Sequence, residues 1–268
     1  MPQNNIIIKT KDEIGKMRKS GFLAAVVMKR TLGWIHPYIT TLQVDKFINS
    51  QIKSFHAAPS FMGQDGYKFS SCISINEEVV HGLPSDRRIK KGDLVSIDLG
   101  VLYDGFHSDM CGTVEVGLGK LVVGDENSES NWGFVGGCKN AFLNAGIMAL
   151  DAAILKCRPE NRVGDISYAI QQVVEESGFF VVRDLVGHGI GRSLHEEPQI
   201  PCYGKAGTGT KLLEGTVIAV EVMYTRKNSP LVVLSDGWTF ATKDKSLSAM
   251  FEHTVAITKT GCEVLTKL

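Results

Sequence analysis

The run Gly92-Asp93-Leu94-Val95-Ser96-Ile97-Asp98 recurs 123 residues later as Gly215-Thr216-Val217-Ile218-Ala219-Val220-Glu221. Each copy is an apolar, strand-like stretch that closes on an acid. A second pair of segments keeps almost the same offset. Pro37 and Pro159 lie 122 residues apart, and that shift takes Val44 to Ile166 and Ile48 to Ile170. Chance matches between apolar positions are common, but two segments sharing nearly one offset point to a duplicated αβ unit. The duplication narrows the fold to an α/β (α+β) architecture in which a helix-helix-strand unit occurs twice. It also puts Asp98 and Glu221 at equivalent points of two strands.

Hydrophobic periodicity supplies the elements. Ile14, Met17, Phe22, Ala25, Val26 and Met28 follow a helical period over residues 11–33, with Gly33 as a stop. A second helix is expected after Thr40-Thr41, with Val44, Phe47, Ile48 and Ile52 on one face. Ser71–Ile75, Asp93–Val101 and Phe106–Val116 read as strands, the last two joined by a turn at Tyr103-Asp104-Gly105. A connection rich in Gly, Ser, Asn and Asp covers 117–133. Helices are then expected over about 136–156 and from Asp165 to Ser177. Strands are expected at Phe180–Arg183, Thr216–Met223, Leu231–Leu234 and Glu252–Thr258. No Pro- or Ser-rich linker divides the 268 residues, so they are read as one domain.

Charge removes some function classes. Lys+Arg and Asp+Glu both number 29, so no global field attracts nucleic acid or an anionic membrane, and neither is expected as a partner. Met1-Pro2-Gln3-Asn4-Asn5 followed by three isoleucines is not the pattern of a secretory signal. The longest apolar run, Phe22 to Met28, is too short to cross a bilayer. The 6 cysteines contain no CxxC pair and are expected to be thiols in a cytoplasmic protein.

The chemistry lies in the acids. Asp98 sits inside Ser96-Ile97-Asp98-Leu99-Gly100, where an ionised carboxylate is costly without a partner. A turn at 103–104 sets it opposite Asp109, and a turn at 104–105 makes the two diagonal neighbours. Both registers put the carboxylates on one sheet face, where like charges require a cation or a proton. Glu221 and Glu252 repeat the pattern in Val217-Ile218-Ala219-Val220-Glu221 and Met250-Phe251-Glu252-His253. One such acid is readily explained as salt-bridged or at an edge. Four of them, two related by the repeat, are not, because the neighbouring cations Arg87, Arg88, Lys90 and Lys91 fall in a loop. His188, between Gly187 and Gly189, adds an imidazole where glycines allow close backbone approach. Four carboxylates and one imidazole suit two divalent ions of the Mn, Fe(II), Co or Zn class. Such a pair can activate water and hold a substrate carbonyl. His81, in Val80-His81-Gly82-Leu83-Pro84, and His195, in Leu194-His195-Glu196-Glu197-Pro198, are candidate donors to a substrate, or else caps of their turns. His253 follows Glu252 and is expected on the opposite face of its strand.

Asp98, Asp109, His188, Glu221 and Glu252, in this order and spacing, resemble the metal ligands of the methionine aminopeptidases. The surrounding words resemble that family too: Ser74-Ile75-Asn76-Glu77, His81-Gly82-Leu83-Pro84, Gly187-His188-Gly189-Ile190-Gly191, His195-Glu196-Glu197-Pro198-Gln199, Asp236-Gly237-Trp238-Thr239 and Phe251-Glu252-His253-Thr254. The resemblance runs from about residue 9 to the end of the chain. With 30 residues between Glu221 and Glu252, there is no room for the helical insertion of the type II branch, so the likeness is to type I. The resemblance implies the pita-bread fold, a pseudo-twofold arrangement of helix-helix-strand units around a central curved antiparallel sheet. It implies a single catalytic domain over 1–268 with halves about 10–117 and 136–268.

The same resemblance implies a metalloaminopeptidase that removes N-terminal methionine from nascent proteins and peptides with a small second residue. A hydroxide held between two divalent ions would attack the scissile carbonyl. Asp98 would bind mainly one ion, Glu221 and His188 the other, with Asp109 and Glu252 bridging. His195 would hydrogen-bond the carbonyl oxygen, His81 would assist at the amide, and Glu221 would also shuttle a proton. Tyr67, Cys72 and Trp238, with His81 at the edge, would form the methionine pocket. The implied partners are peptide and nascent-chain N-termini and the ribosome, and the implied state is a monomer. The chain departs from the family pattern at Val222, where Pro is usual, at Leu194, where Phe is common, at Ser108-Asp109-Met110, and over residues 61–66. An enzyme releasing another residue, a binding module on the same fold, and a metal-free acid cluster are the competing readings.

Overall fold

Helix α1 (Lys11–Trp34) begins at a capping box in which Thr10 accepts from the Glu13 backbone and Glu13 reaches back to Thr10. It runs through Gly33 rather than stopping there. Helix α2 (Thr41–Ser54) starts the same way, with Thr40 and Gln43. The structure, a computed structural model, describes residues 6–125, 128–130 and 132–268. Residues 1–5, read above for a leader, lie outside the described residues, as do 126, 127 and 131 of the expected connection.

After α2 come strands β1 (Ala58–Pro59), β2 (Ser71–Ile75), β3 (Glu78–Val80), β4 (Leu94–Tyr103), β5 (Phe106–Glu115), β6 (Gly119–Val123) and β7 (Trp132–Gly136). The second stretch has α3 (Asn140–Ile154), α4 (Val163–Glu176), β8 (Phe180–Val181), β9 (Val186–Gly189) and β10 (Glu196–Pro201). It continues with β11 (Val217–Thr225), β12 (Leu231–Val233), β13 (Phe240–Thr242), β14 (Ser248–Ile257) and β15 (Cys262–Val264). Two helices followed by long strands therefore occur twice. The expected connection at 117–133 contains β6 and the start of β7, paired antiparallel as a sheet of their own.

The main sheet runs β1-β4-β5-β14-β11-β9-β10, with β2 also on β4, β8 on β11 and β15 on β14. Its pairings are antiparallel. Tyr103 pairs with Phe106, so the turn falls on Asp104 and Gly105, both with positive φ. This is the second of the two registers considered above: Asp98 faces Cys111, and Asp109 faces Gly100.

The helices lie on one face of this sheet. Ser20 of α1 donates to the Val101 carbonyl and to Ser108. Gly146 of α3 sits under Tyr224 and Phe251, where a Cβ would come within 2.5 Å of the Phe251 ring. Because side chains alternate along a strand, Ser108 and Phe251 on the helix face place Asp109 and Glu252 on the other.

Strands β5 and β14 join the two runs of strands. Only Glu252↔Cys111 and His253↔Met110 pair there in regular register. Beyond them, two threonines take over. The Asp109 N–H donates to Thr254 Oγ1 (2.9 Å), and that hydroxyl donates to the Asp109 carbonyl (2.8 Å). Thr113 does the same for the N–H and carbonyl of Met250.

Candidate metal centre and substrate cavity

One line of paired residues crosses the sheet: Cys72, Asp98, Cys111, Glu252 and Glu221. Partners across an antiparallel ladder share a face, so the three acids are bound to converge. Asp109, two residues along from Cys111, and His188, paired with Ala219 two residues along from Glu221, complete the group. The ligand atoms of Asp109, His188 and Glu252 all lie within 4.8 Å of one another. His188 Nε2 is 3.6 Å from Glu221 Oε1.

These groups are poorly compensated by the protein itself. Burial, followed by the charges of Asp98 and Glu221, pushes Asp109 well above the usual carboxylate range. Burial does the same to Glu221 and Glu252 and lifts Asp98 to about 7. Asp98 Oδ1, Asp109 Oδ1 and Glu252 Oε1 are buried without a hydrogen-bond partner. His188 points its Nδ1 at the Gly189 carbonyl (2.8 Å), which fixes the hydrogen there and leaves Nε2 with a free lone pair. Burial holds its pKa down to about 4, so at neutral pH its approach to Glu221 is not an ion pair.

The acids and His188 form the floor of a cavity of about 540 Å³. Its wall includes Tyr67, Cys72, Leu194 and Trp238, which belong to an apolar cluster separate from the main core. Tyr67 and Trp238 meet edge to face with centroids 5.1 Å apart. Cys72 donates its S–H to the Tyr67 hydroxyl, 3.2 Å away. His81, at positive φ, and His195 also line the cavity. The His195 ring stands edge-on to His188 at 4.5 Å. The structure thus brings together in one cavity every residue singled out in the sequence for metal, donor or pocket roles.

The close backbone approach read from Gly187 and Gly189 occurs within a strand. Both lie in β9, between β11 and β10, and their missing side chains serve the sheet. A Cβ on Gly187 would stand 2.6 Å from the Ala219 carbonyl, and one on Gly189 would collide with the Glu197 backbone.

The comparisons agree with this geometry. The model of metallopeptidase family M24 matches residues 15–259. The chain is 41% identical over 266 residues to a methionine aminopeptidase of Clostridium perfringens, covering 97% of this chain and 98% of the relative. It is 39% identical over 263 residues to methionine aminopeptidase 1 of Bacillus subtilis, covering 98% of this chain and all of the relative. The crystal structure of methionine aminopeptidase from Thermotoga maritima superposes with a TM-score of 0.88 at 42% identity, over 98% of this chain and 100% of that one. The chain belongs to metallopeptidase family M24. Its architecture is that family's pita-bread fold. Membership implies divalent metal, and the donor set fits one: unpartnered buried carboxylate oxygens and a neutral imidazole whose free nitrogen faces them. No helix among the described residues is long and apolar enough to cross a membrane.

Two residues that support the site had little signal in the sequence. Asp45, on α2, accepts from the backbone of Ser70 and Ser71 and from the Ser71 hydroxyl, and so anchors the start of β2 next to Cys72. Its only mark in the sequence is an acid on the buried side of a helix. His107 lies against the His195 segment through its N–H to the Gly191 carbonyl.

Proposed function

We propose that the chain is a methionine aminopeptidase that takes the first residue from peptides and nascent proteins whose second residue is small. The observation that carries this reading is the placement of the acid-imidazole floor directly beside an apolar recess. A cavity of about 540 Å³ has the size of a site for one small ligand rather than a cleft for an extended chain. The thiol of Cys72 and the rings of Tyr67 and Trp238 suit an unbranched thioether, and they penalise a charged side chain through desolvation.

Asp98, Asp109, His188, Glu221 and Glu252 would hold two divalent ions of the Co, Mn, Fe(II) or Zn class. Bound there, the ions supply Lewis acidity and a water of lowered pKa. His195 donates a hydrogen bond to the carbonyl oxygen as it gains charge, and His81 supports the amide nitrogen as the bond breaks. Glu221 also carries a proton to the leaving amine. The working form is a single-domain monomer in the cytoplasm, met by its substrates as they leave the ribosome.

Release of free methionine from Met-Ala-Ser, Met-Leu-Ser and Leu-Ala-Ser, with and without chelator, tests the reading. The expected result is metal-dependent cleavage of Met-Ala-Ser with kcat/KM far above the other two. Equal values for Ala and Leu in second place would refute the small-residue rule. Preference for Leu over Met in first place would refute the pocket.

A further inference from the structure

Lys9 lies in the extended segment before α1, far in sequence from the cavity. Its backbone N–H donates to the Gly215 carbonyl at 2.8 Å. Its ammonium sits 2.5 Å from Glu196 Oε2, with both side chains almost wholly removed from solvent (2% and 4% exposed). The second oxygen, Glu196 Oε1, accepts from the Ser193 N–H at 3.2 Å. Gly191, whose N–H donates to the Ser193 carbonyl, leaves the space in which the pair meets: a Cβ there would stand 2.7 Å from Glu196 Oε1 and overlap Lys9. The chain of contacts thus runs from Lys9 through Glu196 to Ser193, and the turn it closes carries His195.

A buried ion pair is a poor device for stability alone. Desolvating both charges takes back most of their attraction, and an apolar pair of like size is often as stable or more so. What a buried pair does supply is a fixed geometry, because neither charge tolerates losing the other. His195 is itself open to the cavity, with the edge of His188 against its ring. Its placement therefore depends on the turn beneath it.

We propose that Lys9 is a positioning residue: through Glu196 it locks the Ser193–Glu196 turn and so sets His195 against the substrate carbonyl. This rests on the methionine aminopeptidase reading and on the role given there to His195. Lys9 touches no reacting atom.

The test uses Lys9→Met, Lys9→Arg and the double variant Lys9→Met with Glu196→Met, with Met-Ala-Ser as substrate and Mn as metal. Lys9→Met should lower kcat about 10- to 100-fold, the scale of a misplaced catalytic group, with KM and bound Mn nearly unchanged. Lys9→Arg should recover most of the loss. In a His195→Ala background, Lys9→Met should cost less than about twofold, because the group it positions is gone. The double variant should melt at or above the parent's temperature and stay slow, which separates geometry from stability. A parental kcat in Lys9→Met or in the double variant, or an equal loss with and without His195, would overturn the proposal. If the parent itself released no methionine, the functional reading would fall. The positioning claim would then be decided by the His195 imidazole NMR signals, which should shift in Lys9→Met while those of His81 stay fixed. Unmoved His195 signals would refute it.

Discussion

His188 shows how far one side chain is determined by its immediate surroundings. The Gly189 carbonyl takes its Nδ1 hydrogen, burial keeps the ring neutral, and Nε2 stands 3.6 Å from Glu221 Oε1. Its imidazole stands among four acids on the cavity floor that burial leaves hungry for a cation or a proton. We expect His188→Ala and Asp109→Asn each to weaken metal binding at least 10- to 100-fold, while circular dichroism shows a folded chain. Isothermal titration with Mn checks this, and parental affinity in either variant would remove the residue from the ligand set. His195 belongs to a different class of contact. It is open to solvent and stands beside His188, and the proposed role is to meet a developing negative charge. His195→Ala should lower kcat by about 10² to 10³ with little change in KM. Steady-state kinetics on Met-Ala-Ser measure it, and an unchanged kcat would reduce His195 to a support of its turn.

At the scale of elements, the join between β5 and β14 has few backbone pairs for the function it serves. Two regular pairs are extended on either side by Thr113 and Thr254, each bonding an N–H and a carbonyl across the gap. Thr254→Val keeps the shape and leaves the Asp109 backbone unsatisfied. It should cost about 1–3 kcal/mol in unfolding free energy, read by urea titration of the metal-free protein. Thr254→Ser, which keeps the hydroxyl, should lose much less, and equal losses would show that the methyl group matters instead. The long strands were legible because apolar runs with embedded acids leave few alternatives. Other elements were not. Strand β14 starts at Ser248, four residues before the expected Glu252, because Ser248-Ala249 is too small and polar to register as strand. The β6–β7 hairpin hid in a segment rich in Gly, Ser and Asn, and β9 hid behind its two glycines. The site residues were legible as types in a pattern, and His253 was rightly set apart. It is buried on the far face, stacked on Trp132 and bonded to Thr266. The Lys9–Glu196 pair could not be read from the sequence, because no periodicity links residues 187 positions apart.

The whole molecule carries the strain of its empty charges as a dependence on pH. Asp98 is raised from 3.8 to about 7, and Asp109, Glu221 and Glu252 are pushed well above their ordinary range, all chiefly by burial. The native metal-free state therefore binds more protons than the unfolded chain at neutral pH, and its stability falls as pH rises. The histidines oppose this at lower pH. His188, held down to about 4, and His253, held down to about 3, leave the native state with fewer protons than the unfolded one below 6.5, so they remove stability as pH falls. Between about pH 6.5 and 8 the carboxylates act without that opposition. Urea unfolding in chelator should show a declining free energy across that window. Saturating Mn should abolish the decline, since the metal takes the protons' place. A rise in chelator would contradict the assigned direction.

The two threonine clasps have a further meaning when the chain is considered as a mechanical object. Asp98 and Asp109 come from one side of the β5–β14 join, and His188, Glu221 and Glu252 from the other. Any ion that they share acts as a rivet driven through the join. Linkage makes the arrangement reciprocal: each increment of free energy by which the ion resists parting of the two sides is an increment by which their parting expels the ion. Chelation should therefore loosen first the amides of Met110, Cys111, Glu252 and His253, and hydrogen exchange along that line would record how firmly the rivet holds.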